Sequence, residues 1–197
     1  FSKVFADEEL AVRTQFHVAE SYFELFKSHR KLNREEEAAH DLENGRRSLK
    51  QLVEDYPDPK YAPRVNYLLG QFSQELQQWG DAIEAYESIV RNHPEHPLAA
   101  DAQYKLAQAY EEAKRFDDAL EAYVTLASTY PKSPLIANAM IRISEYFYRG
   151  ENFAIAAQVG IKFVERFNSH QWAPKMAFRV GQCHYKSEKY IDAASSF

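Results

Sequence analysis

Apolar residues recur at helical spacing along almost the whole chain, in paired stretches separated by short polar turns. The stretch from Pro97 to Pro131 contains two such amphipathic segments and closes on a Tyr-Pro dipeptide. No stretch alternates apolar and polar residues as a strand would, so the pattern predicts an all-α protein. The predicted helices lie near residues 6–30, 34–55, 60–77, 80–93, 97–113, 116–130, 134–149, 152–167, 171–186 and 189 to the end.

The helical pattern repeats every 37 residues over more than a hundred residues, which indicates an internal repeat. Each predicted hairpin has one small residue in each helix, and two helices approach closely only where both side chains are small. Residues at equivalent positions of successive repeats form a column. The small-residue column of the first helix is Gly70, Ala107, Ser144 and Gly181, and that of the second helix is Ala82, Ala119, Ala156 and Ala193. The column that closes each repeat is Tyr56-Pro57, His93-Pro94, Tyr130-Pro131 and Phe167-Asn168.

The repeat divides the chain into two parts. Residues 58–197 form an array of three full repeats and a truncated fourth, whereas residues 1–57 form one longer, atypical hairpin that fits the array only in its second helix. Additional N-terminal chain or a partner would cover this long hairpin. Phe197 falls in the middle of a predicted helix, so we expect the sequence to be a piece of a longer protein.

The recurring residues resemble those of the tetratricopeptide repeat (TPR) family. The matching pattern is Leu106-Ala107, Tyr110, Ala119, Tyr123 and Pro131. The resemblance implies a right-handed α-α superhelix, the TPR solenoid of antiparallel helix hairpins. It also implies a scaffold that binds proteins or peptides.

The junction Tyr130-Pro131-Lys132-Ser133-Pro134, followed by an Ala-rich helix, is similar to the repeats of bacterial envelope proteins. These are the periplasmic accessory protein of the Tol–Pal system and the lipoprotein subunit of the outer-membrane β-barrel assembly machine. That resemblance implies a bacterial protein of the cell envelope or periplasm that acts through protein contacts. A cytoplasmic location is the alternative.

The resemblance also implies a binding groove lined by the first helix of each hairpin. Rings would supply contact area in this groove, and amides would bond the backbone of a peptide. The alternative is that the rings only pack between neighbouring hairpins. Chaperone-tail binding through Lys and Asn is not expected, because other residue types stand in these columns. The groove columns hold Tyr67, Gln71, Gln74, Tyr104, Gln108, Glu111, Ile141, Glu145, Tyr148, Phe178, Gln182 and Tyr185.

Composition, charge and residue spacing argue against several classes of function. The net charge of −5 argues against binding of nucleic acid, which requires a basic surface. The sequence also contains no run of 18 apolar residues, which a membrane-spanning helix would require. His93 and His96 have no third residue at ligand spacing, which argues against zinc. Cys183 and His184 are adjacent and point about 100° apart on a helix, so they form no nucleophile–base pair.

The sequence therefore predicts a protein-binding scaffold with no catalytic residues, metal or cofactor. The alternative is a structural docking module within a larger multidomain protein or enzyme complex. The identity of the partner and the oligomeric state are not encoded in the pattern.

Overall fold

A computed structural model describes residues 2–56 and 60–196, with side chains described for residues 9–56 and 60–193. All regular secondary structure in these residues is helical, which confirms the all-α prediction. Two predicted boundaries lie outside the described residues, namely the helix end at Pro57 and the truncated repeat at Phe197. The helices are α1 Ser2–Lys31, α2 Glu35–Asp55, α3 Ala62–Glu75, α4 Trp79–Asn92, α5 Ala99–Glu112, α6 Phe116–Thr129, α7 Ile136–Arg149, α8 Phe153–Arg166, α9 Ala173–Lys186 and α10 Tyr190–Ser196.

The chain forms two compact units, Phe1–Ala113 with α1 to α5 and Lys114–Phe197 with α6 to α10. The division at residues 57 and 58 inferred from the sequence concerns repeat register and stays a prediction. By repeat order, α3, α5, α7 and α9 are the first helices of their hairpins, and α4, α6, α8 and α10 are the second helices. None of the described helices combines the length and the apolar content that crossing a bilayer requires.

In the first unit, the long hairpin packs on the next helix through one apolar cluster. Phe23 of α1, Leu49 of α2 and Phe72 of α3 are buried in it, and the rings of Phe23 and Phe72 meet edge to face with centroids 5.0 Å apart. Gly45 of α2 marks the closest approach, because a Cβ there would lie 2.3 Å from the Phe72 ring and 3.1 Å from the Cβ of Tyr22. Only glycine therefore fits at this crossing.

The small-residue column explains the pairing of α3 with α4. A Cβ on Gly70 would lie 2.5 Å from the ring of Tyr86, which is fully buried. The Tyr86 hydroxyl donates a hydrogen bond of 2.8 Å to Oε1 of Gln74. The missing Cβ thus makes room for a ring whose only polar group is satisfied, as burial of a tyrosine requires.

The second unit uses small residues in the same way. A Cβ on Gly160 of α8 would lie 2.6 Å from a methyl group of Val180 on α9. Ser144 of α7 is fully buried, and its hydroxyl donates to the carbonyl of Ala156 on α8 at 3.2 Å. The buried side chains of Phe163 and Met176 join α8 and α9 in one cluster.

The turns after the first helices share one backbone conformation. Gln77, Lys114, Glu151 and Glu188 have left-handed φ values of 57°, 62°, 58° and 59° at the spacing of the repeat. After three of them, the next residue's N–H donates to the carbonyl five residues earlier, for example Asn152 to Phe147 at 2.8 Å. This is the Schellman ending of a helix.

The first helices begin differently from the prediction. Helices α5 and α7 begin at Ala99 and Ile136, two residues later than predicted, so Pro97 and Pro134 lie in the preceding turns. Side chains at the repeat spacing support these turns. The Leu98 N–H donates to Nδ1 of His96 at 3.1 Å. Ser133 and His170 accept equivalent bonds of 3.2 Å from the backbone two residues on.

Replacing Gly70 with Ala tests the close approach of α3 and α4. The added Cβ collides with the buried Tyr86 ring, so we expect the free energy of unfolding to fall by about 1–3 kcal/mol. Gly80→Ala is the matched control, because a Cβ there meets no atom within 4 Å. It should raise the free energy of unfolding by about 0.5–1 kcal/mol, as Gly→Ala does inside helices. Urea unfolding of both variants measures the difference, and equal effects would contradict the assigned packing.

Replacing His96 with Ser, the residue at the equivalent position 133, tests the turn before α5. Burial, followed by the charges of His93 and Arg64, lowers the pKa of His96 below 6.5 in the folded chain. The unfolded chain therefore binds more protons as the pH falls, and the wild type loses stability below pH 6.5. His96→Ser keeps an acceptor for the Leu98 N–H without a titrating ring. Thermal unfolding between pH 5 and 8 should show a smaller loss for the variant, and parallel profiles would contradict this role.

Candidate protein-binding site

The twelve predicted groove residues are divided equally between the two units. In the first unit, α3 and α5 place all six side chains at the surface in half-buried positions. Tyr67 of α3 also lies near Asp101 of α5, since burial and then the charge of Asp101 raise the pKa of the Tyr67 hydroxyl. The six residues are Tyr67, Gln71, Gln74, Tyr104, Gln108 and Glu111.

On α3, packing within the hairpin occupies two of the predicted contacts. The Tyr67 ring meets the ring of buried Tyr86 edge to face, with centroids 5.9 Å apart. Gln74 accepts the hydroxyl hydrogen of the same tyrosine. For Tyr67 and Gln74, the contacts therefore favour the packing interpretation over ligand binding.

The residues on α7 also contact their neighbours. The Glu145 carboxylate pairs with Arg149 at 3.1 Å and with Arg142 at 3.6 Å, both on the same helix. Tyr148 meets the ring of Phe153 edge to face at 5.5 Å, and the guanidinium of Arg179 on α9 lies over it, also at 5.5 Å. Helices α7 and α9 thus meet at Tyr148. Ile141 is half-buried against the cluster around Phe163.

On α9, the predicted column faces solvent. Phe178 is 53% exposed and Tyr185 is 59% exposed, with half-buried Gln182 between them along the helix. A spacing of four and then three residues places the three side chains on one face. Tyr185 also meets the ring of Tyr190 on α10, with centroids 5.6 Å apart. This face presents two large rings and one amide to solvent.

The residues with potential for catalysis or metal binding have structural roles. Cys183 is fully buried, and burial raises the pKa of its thiol against the opposing influence of Arg179, so it is held as the neutral thiol. Nδ1 of His96 accepts the N–H of Leu98. Among the described residues, no three His, Cys, Asp or Glu side chains come together as a metal site. The absence of catalytic activity stays a prediction.

Comparison with known proteins identifies the repeat. Residues 73–134, which include the stretch from Pro97 to Pro131, match the tetratricopeptide repeat family. The match covers about a third of the chain. No curated protein sequence matches it. The resemblance to TPR proteins is therefore confirmed, whereas the resemblance to envelope proteins is not supported by these matches.

Solved structures share the TPR fold at low sequence identity. MamA from Desulfovibrio magneticus is 17% identical, with a TM-score of 0.59 over 91% of this chain and 90% of that chain. A tetratricopeptide repeat protein from Parabacteroides merdae is 19% identical, with a TM-score of 0.64 over 90% of this chain and 64% of that chain. A putative kinesin light chain with TPR-like repeats from Podospora anserina is 14% identical, with a TM-score of 0.64 over 92% of both chains. At these identities the likeness shows the fold.

The helical hairpins of the second unit form a further concave surface that sequence reasoning missed. It is an open groove of about 730 Å³ between the second helices α6 and α8, with the first helix α7 as its floor. The sequence carried no separate signal for this groove, because the 47% exposure of the apolar residue Val124 on α6 is visible only in the structure. The floor residues Met140, Ile143 and Phe147 lie on a different face of α7 from the predicted column, more than about 100° away around the helix axis.

Proposed function

We propose that the chain is a protein–protein interaction scaffold that binds a peptide or protein partner through its first helices. The observation that carries this proposal is the solvent-facing column of α9, where Phe178 and Tyr185 flank Gln182. In the second unit, the first helices α7 and α9 meet at Tyr148, so one extended partner can contact both of their hairpins in succession.

The chemistry of the α9 column suits a peptide. Aromatic rings supply a large contact area with few rotatable bonds, and interfaces are enriched in them for this reason. The Gln182 amide has both a donor and an acceptor for a peptide backbone. Tyr148 under the Arg179 guanidinium extends the surface toward α7.

A bacterial envelope assembly is the proposed setting. Its support is the junction from Tyr130 to Pro134, which is similar to junctions of envelope TPR proteins. Fractionation of cells that express the full-length protein tests this setting, and a protein confined to the cytoplasmic fraction would contradict it. The binding surface does not depend on that outcome.

Replacing Phe178 with Ala tests the binding surface. Aromatic residues at the centre of an interface contribute about 2 kcal/mol or more, so the variant should lose its partner by more than about tenfold in affinity. The measurement is affinity capture with the full-length protein from its native cells. Recovery of each captured protein is then compared between the wild type and the variant.

Phe116→Ala is the matched control. Phe116 is 50% exposed, close to the 53% of Phe178, and lies on the second helix α6 of the same unit. This variant should retain the partner that Phe178→Ala loses. Retention of the same partner by Phe178→Ala, Tyr148→Ala and Tyr104→Ala would move the binding site away from the first helices.

A further inference from the structure

We propose that the apolar groove between α6 and α8 is a second docking surface, which accepts an amphipathic helix with an acidic flank from a protein partner. The groove lies within the second unit, with α7 as its floor. It goes beyond the function proposed above, because it uses a different face of α7 and none of the twelve predicted groove residues.

An equivalent groove two repeats earlier has a more polar lining, to which Leu69 and Ala85 also contribute. A groove of about 310 Å³ in the first unit lies between α2 and α4, with α3 as its floor. Its floor residues Asn66, Leu69 and Ser73 stand two repeats before Met140, Ile143 and Phe147. On the rim, Lys50 similarly stands two repeats before Val124.

In the groove of the first unit, a charged side chain bridges the two rims. Arg46 of α2 reaches Asp81 of α4 at 3.8 Å and the side-chain oxygen of Gln78 at 3.3 Å. Lys50 shows that the fold accepts a polar side chain at the position of Val124, so the 47% exposed Val124 is not required for folding. The floor residues Ile136 and Ile143, by contrast, are buried in the core. Exposed apolar grooves with polar rims are typical of interaction sites.

The shape of the apolar groove fits a helix. Its floor residues follow the helical spacing of α7 from Ile136 through Met140 and Ile143 to Phe147. These eleven steps correspond to about three helical turns, or roughly 16 Å. A helix with an apolar stripe can place its side chains between those of α6, α7 and α8, as ridges of one helix enter the grooves of others.

The charged residues of the groove lie on one rim and determine which charge the facing flank of the partner helix should carry. Lys162, Glu165 and Arg166 of α8 line this rim, whereas α6 contributes only apolar groups and the Ser128 hydroxyl. Arg166 donates to the carbonyl of Pro131 at 2.7 Å. Lys162 and Glu165 have no ion-pair partner in the part of the chain that the structure describes, so with Arg166 this rim carries two cations and one anion, a net positive charge. The partner's flank on this side should therefore be acidic.

A synthetic helical peptide tests the proposal directly. The probe is a 16-residue amphipathic helix with Leu at four positions spaced as Ile136, Met140, Ile143 and Phe147 are, and with Glu along one flank. Fluorescence anisotropy of the labelled peptide with the whole chain should show saturable binding. A scrambled peptide of the same composition should not bind. Failure of the acidic peptide to bind the wild type, or equal binding of the scrambled peptide, would overturn the proposal.

Val124→Lys locates the binding in this groove. Lys50 stands at the equivalent position and Val124 is 47% exposed, so the fold accepts the change. It should weaken binding at least tenfold. Ile161→Lys is the matched control, because Ile161 is 39% exposed on α8 and does not line the groove. Equal effects of the two variants would overturn the proposed location.

Charge reversal at Lys162 tests the polarity. Lys162→Glu should weaken binding of the peptide with the Glu flank and strengthen binding of a second peptide with Lys on that flank. No change with either peptide would overturn the acidic-flank assignment. Phe178→Ala should leave peptide binding unchanged, so failure of this proposal and failure of the proposed function give different results.

Discussion

Close approach of neighbouring helices at small residues sets the geometry on which the rest of the fold depends. At Gly45, Gly70 and Gly160, a ring or methyl group from the adjacent helix occupies the space that a Cβ would fill. These contacts fix the separation of the helices and the rotation of each about its axis. Since a helix shows a given face only in one rotation, the same contacts decide which side chains are buried and which remain at the surface.

One consequence is that equivalent positions of the repeat differ in their availability to a partner. Tyr67 and Phe178 stand in the same column, but the Tyr67 ring lies against buried Tyr86, whereas Phe178 is 53% exposed. The Tyr86 ring occupies the space that a Cβ on Gly70 would fill. The packing of one hairpin thus places its tyrosine against a buried ring, whereas the two rings of the α9 column are more than half exposed.

The sequence predicts the helices and the repeat because both depend on local periodicity. It predicts the turns less well. Gly150 marks the turn after α7, yet its φ is −79° and Glu151 takes the left-handed conformation. The Schellman ending requires that conformation at a fixed distance from the helix end. The position in the repeat therefore decides which residue is left-handed, and the residue type does not. Pro97 and Pro134 lie before their helices because side chains such as Ser133 first close a turn.

The candidate sites depend on contacts that periodicity does not contain. The column at Tyr67, Tyr104, Ile141 and Phe178 was predictable, but the choice between packing and binding requires the neighbours of each ring. The groove below Val124 needed the structure as well, because three helices line it. Once the residues that line the groove are known, they can be compared with the residues at equivalent positions of the other repeats. Lys50 and Val124 stand at equivalent exposed positions, so the change from polar to apolar between them is a difference that folding does not explain. Exposed apolar side chains are also unfavourable in water. The proposed contact with a partner helix would account for both facts.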